Sequence, residues 1–181
     1  MPKREKRTFL EFAQELLDED KIGDFLDFVQ FLRKNRLVKE NQISKTKSTA
    51  YSTMINYTKG RSGSICSLNL WSVKSYKPDG GWSIFPSNLF FCDYDKYVTD
   101  EKLKAFILSF ERIKTCRGCD GSGCYGGEAD WVKTNLTIFG ENFNNVCKMK
   151  FINPNGETLE YAKELILITK NIIIDKQLNE A

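Results

Sequence analysis

Ile65-Cys-Ser-Leu-Asn-Leu-Trp-Ser-Val73 alternates apolar residues with a period of two: Cys66, Leu68 and Leu70 fall on one face, Ile65, Trp71 and Val73 on the other. That period belongs to a pleated strand, in which successive side chains point to opposite sides of a sheet. Upstream, Tyr51 to Thr58 repeats the pattern in part, with Tyr51, Ile55 and Tyr57 on one side and Met54 on the other. Lys59-Gly-Arg-Ser-Gly63 between the two runs has turn chemistry. Pro78-Asp-Gly-Gly81 is a second turn, leading to a third short strand from Trp82 to Phe85. Short strands joined by such turns predict an antiparallel meander.

Helical periods flank the meander. Thr8-Phe-Leu-Glu11 is a capping box, in which the Thr hydroxyl accepts a first-turn N–H and the Glu carboxylate reaches back. Phe9, Phe12, Ala13, Leu16 and Leu17 follow at helical spacing. Asp18-Glu-Asp20 suits the positive end of a helix dipole and marks a second helix. Its stripe is Ile22, Phe25, Leu26, Val29 and Leu32, widened by Phe28 and Phe31. After the meander, Thr99 or Asp100 caps a helix carrying Leu103, Phe106, Ile107 and Phe110. Leu136 to Phe139 reads as a strand. Asn153 reads as the cap of a closing helix with Pro154 at its first position, where a missing N–H costs nothing. The expected fold is therefore α+β: an N-terminal helical pair, an antiparallel β-meander, and C-terminal helices with a four-cysteine metal loop. One domain is expected over residues 1–181, with a helical segment at 1–37, a polar linker at 38–50, and the meander and cysteine region at 51–181.

The chain has 181 residues and a net charge of +3, too small to imply a polyanionic partner by itself. Met1-Pro-Lys-Arg-Glu-Lys-Arg7 is followed by no apolar core of a signal peptide, and no stretch of 18 apolar residues occurs. A cytoplasmic protein without a membrane partner is the expectation. There, six cysteines serve as thiols or metal ligands rather than disulfides. Histidine is absent, so any metal site must use sulfur or carboxylate.

The cysteines supply a chemical signal. Cys116, Cys119 and Cys124 show C-x2-C-x4-C spacing, and Cys147 follows after a strand-like stretch. A C-x2-C turn brings two thiolates onto one tetrahedral ion, and four cysteines close a structural zinc site. Gly118 and Gly121 let the backbone curl so that N–H groups face sulfur, while Lys114, Arg117, Lys148 and Lys150 offset the thiolate charge. Free or redox-active thiols and an iron–sulfur cluster are the alternatives, although the familiar ferredoxin spacings differ. Cys66 and Cys92 read as plain buried cysteines. Gly121-Ser-Gly-Cys-Tyr-Gly126 has the form G-x-G-x-x-G, but no buried strand precedes it and no helix opens inside it, which rejects dinucleotide binding.

Cys116-Arg-Gly-Cys-Asp-Gly-Ser-Gly123 resembles one zinc knuckle of J-domain co-chaperones over eight residues. Those proteins use paired copies, so the co-chaperone role does not carry over. From Tyr51 to Asp175 the layout resembles an uncharacterised family of small bacterial cytosolic proteins. The resemblance rests on Ser64-Ile-Cys-Ser-Leu68, Gly81-Trp-Ser-Ile84, Thr137-Ile-Phe-Gly-Glu-Asn-Phe-Asn-Asn-Val-Cys147 and Asn153-Pro-Asn-Gly156. It implies no activity; some proteins with a similar meander are regarded as ligand-binding modules.

Two further features bear on partners. Tyr51, Tyr57, Trp71 and Trp82 would line a small-molecule cleft if one sheet face were open, and would be core if helices cover it; core is the favoured reading. Arg33 to Arg61 holds eight basic residues against Glu40 alone, yet carries no signature of a nucleic-acid-binding fold and reads as a solvated linker and strand edge. The expected function is a non-enzymatic, zinc-stabilised module binding a small molecule or a protein. The alternative is a redox or other enzyme using the cysteines; nucleic-acid binding is third.

Overall fold

The computed structural model describes residues 8–37, 44–45, 50–57, 64–71, 80–87, 93–109, 133–146 and 149–179. These belong to two compact units, the first made of residues 1–85 and 151–163, the second of 86–150 and 164–181. Helices and an antiparallel sheet make the chain α+β.

In the first unit, α1 (Phe9–Leu16) opens on the expected capping box. Thr8 Oγ1 accepts the Glu11 N–H at 3.3 Å, and the Glu11 carboxylate accepts the Thr8 N–H. Helix α2 (Glu19–Lys34) starts after Asp18 as its acidic run foretold. It buries Phe25, Phe28 and Leu32, so the buried stripe centres on Phe28 rather than on Leu26 and Val29. Its end is a Schellman turn: the Leu37 N–H reaches the Leu32 carbonyl at 2.9 Å, while Arg36 takes a left-handed φ of 58° where glycine is usual.

The sheet has the order β1-β2-β3-β4-β7, with β1 Ser44–Lys45, β2 Ala50–Asn56, β3 Ser64–Trp71, β4 Gly81–Pro86 and β7 Phe151–Ile152. Pairing of Thr53 with Leu68 and Ile55 with Cys66 puts these side chains on one face. Phe12 of α1 stacks on Tyr51 of that face at 3.9 Å between ring centroids. Phe25 meets Trp82 edge-on at 5.3 Å, and Phe28 lies 5.8 Å from the same indole. The three meander strands thus lie where alternation placed them, under the N-terminal helices. Ser44 and Lys45 fall within the stretch read as a linker, yet they pair with Ser52 and Tyr51. A polar two-residue edge strand has no apolar alternation to reveal it.

Asn153 corrects the reading of the closing helix, α5, which runs Gly156–Asn179 rather than starting at Pro154. The Asn153 N–H donates to the Trp82 carbonyl at 2.9 Å, and its Oδ1 accepts the Trp82 N–H at 2.8 Å. The register Ser83–Ile152 and Ile84–Phe151 makes this the next rung of the β4–β7 ladder. At φ 43° the Asn153 backbone has left the strand, and its amide oxygen stands in for the missing carbonyl. A Cβ at Gly81 would lie 2.5 Å from that oxygen and 2.7 Å from a Trp71 ring carbon. Neither neighbour can retreat freely, the oxygen being held by the Trp82 N–H.

Two stability results follow. Asn153→Ala leaves the Trp82 N–H without its acceptor and puts alanine at a left-handed φ, for an expected loss of about 1–3 kcal/mol. Asn153→Asp keeps the acceptor and should retain most of that; urea midpoints of the two variants give the comparison. Gly81→Ala is expected to cost about 1–3 kcal/mol through overpacking, and an unchanged midpoint would show that the close approach is not tight.

The second unit contains α3 (Tyr94–Tyr97), α4 (Glu101–Ser109), the hairpin β5 (Lys133–Ile138) with β6 (Glu141–Val146), and α5 from residue 164 onward. Asp100 is the cap of α4, accepting the Leu103 N–H at 2.7 Å. Leu103 and Ile107 are buried, as are Leu165, Ile166, Thr169, Ile172 and Ile173 of α5. Tyr94 is wholly buried, and burial raises its phenol above the ordinary range. Tyr97 donates to the Asp175 carboxylate at 2.7 Å, and Lys176 pairs with Asp93 at 2.7 Å. These contacts join α3 to the last turns of α5.

Candidate functional site

The β5–β6 hairpin reverses through Phe139 and Gly140, with φ of 52° and 79°. Positive φ at both central residues is the type I′ pattern that matches strand twist. Phe139, expected inside the strand, is thus in the turn. Its N–H donates to the Asp95 carboxylate of α3. Lys104 Nζ of α4 lies 6.0 Å from its ring centroid and 2.7 Å from Glu101. Asp95, Glu101, Lys104, Ala105, Leu108, Phe139 and Gly140 line an open surface groove of about 540 Å³. Nothing in the sequence reading pointed to this groove. The Phe-Gly dipeptide was its one local signal, and Asp95 lies 44 residues away from Phe139.

At the other end of the hairpin, Lys133 pairs with Val146. The chain therefore enters and leaves the hairpin side by side. Cys147 follows Val146 directly, and Cys124 precedes Lys133 by nine positions. Cys116, Cys119, Cys124 and Cys147 lie outside the described residues, as does Cys92. Among the described residues, no group of cysteines and carboxylates is placed to hold a metal ion.

Cys66 is 1% exposed, and burial pushes its thiol far above the ordinary range. A group kept protonated in this way is a poor ligand and a poor nucleophile. The four aromatics read as a cleft or a core sit as follows. Trp82 is 1% exposed beneath Phe25 and Phe28, and Trp71 is buried over Gly81. Tyr51 and Tyr57 are half-buried, Tyr51 under Phe12. Of the basic segment, Arg33, Lys34 and Arg36 are exposed at the carboxyl end of α2, where cations suit the helix dipole.

Among the described residues, no helix is long and apolar enough to cross a membrane. Neither a family model, nor a curated protein, nor a solved structure matches the chain.

Proposed function

We propose that this chain is a non-enzymatic, cytoplasmic binding module, taking a small molecule or a protein, with a structural zinc ion held by Cys116, Cys119, Cys124 and Cys147. The observation that carries the metal reading is the hairpin register. Pairing of Lys133 with Val146 brings the two ends of the hairpin together; in sequence, Cys147 is the residue after Val146 and Cys124 lies nine residues before Lys133. Absence of histidine leaves sulfur as the soft donor, and four thiolates close the coordination sphere. A closed site leaves no position for substrate, which favours a structural role over catalysis.

Native mass spectrometry of the protein as purified tests this reading. The expected result is one zinc per chain and no alkylatable thiol among the four cysteines. A metal-free protein with a reactive low-pKa thiol, or a brown iron-containing one, would overturn it in favour of redox chemistry.

A further inference from the structure

Phe139 is a bulky residue in a backbone conformation that glycine and asparagine adopt far more readily. Asn-Gly is the preferred pair for this turn, yet here Phe139 precedes Gly140. Such departures persist where the side chain has a use. Phe139 lines the groove together with Asp95 and Glu101, against the single cation Lys104 in its lining. The charged lining therefore carries one net negative charge. The Lys104 ammonium already sits in range of the ring, paired with Glu101.

We propose that this groove is a binding site for a small organic cation bearing a guanidinium or primary amine. In it, the cationic head lies over the Phe139 ring and meets the Glu101 carboxylate, with Lys104 as the resident occupant that the ligand displaces. The ring quadrupole attracts a cation at its face, and a planar guanidinium also stacks there. Asp95 ties the backbone of the turn that carries the ring, through the Phe139 N–H. The site supplies a ligand class for the binding module proposed above but does not depend on the zinc, so metal content and ligand binding succeed or fail separately.

The probe is agmatine, titrated into the full-length protein as purified and followed through the Phe139 and Gly140 amide signals, with benzoate as the anionic control. Saturable shifts with agmatine and none with benzoate are expected. Phe139→Asn is expected to raise the melting temperature, because asparagine fits the turn, while weakening agmatine about 3- to 30-fold. Glu101→Gln should also weaken binding. Lys104→Met should tighten it, since the competing ammonium and its like charge are removed. The proposal is overturned if agmatine gives no saturable shift, if benzoate binds instead, or if Lys104→Met weakens agmatine. A Phe139→Asn variant that melts lower, or binds agmatine as well as the parent, equally overturns it, leaving the ring a packing group.

Discussion

Trp82→Ala is expected to cost about 3–5 kcal/mol, the range for deleting a buried indole. That is a large share of the roughly 5–15 kcal/mol by which domains are stable. The ring is the point at which α2 and β4 meet: Phe25 contacts it edge-on at 5.3 Å, Phe28 lies 5.8 Å away, and almost none of it is exposed. Its removal leaves a void that two phenylalanines held on a helix cannot fill. Trp82→Phe should behave differently. The indole Nε1 is buried without a hydrogen-bond partner among the described residues. Phenylalanine gives up some packing but also sheds an unsatisfied donor, whose burial costs about 1–3 kcal/mol. The expected loss is therefore well below that of alanine. Urea unfolding of both variants provides the comparison; equal losses would mean that the N–H is satisfied after all.

Metal removal is the second large effect. If four thiolates hold zinc beside the hairpin, chelation should remove free energy on the order of 10 kcal/mol, the scale seen in isolated zinc fingers. Cys147→Ser should lose stoichiometric zinc and lower the melting temperature by more than about 10 °C. Cys66→Ala is the matched control. Its thiol is buried and held protonated, so the variant should keep full metal content and lose only packing. A Cys147→Ser protein that retains one zinc per chain and melts like the parent would remove Cys147 from the ligand set. Thermal melts with and without chelator, read with metal analysis, separate these outcomes.

The parts of the fold legible in the sequence were those set by local physics. The Thr8–Glu11 box closes within four residues, and β2 and β3 announce themselves because one of their faces is core. Asn153-Pro154 was misread for a physical reason. An asparagine before proline is equally suited to cap a helix or to pair sideways, and the partner that decides, Trp82, is 71 residues away. Strand β6, Glu-Asn-Phe-Asn-Asn-Val, is poor in β-branched residues and owes its form to pairing with β5. The two-residue strands β1 and β7 are too short to show any period. The proposed cysteine site rests on residue type and spacing alone, because its four cysteines lie outside the described residues. The groove was not legible, because it is assembled from α3, α4 and a hairpin turn by contacts that no spacing encodes.

The Asn153 rung has a consequence for how molecules of this protein meet each other. A sheet edge with unpaired N–H and C=O groups is a template on which another chain can add a strand. Among the described residues the outermost strands, β1 and β7, each extend for two residues. Beside β7 the backbone veers off at Asn153 and a side chain completes the ladder. At the β7 edge an incoming strand would find few consecutive partners with which to lock its register. The amide of Asn153 thus does for the edge of β4 what a longer strand would have done, without leaving a new edge behind to seed fibril growth.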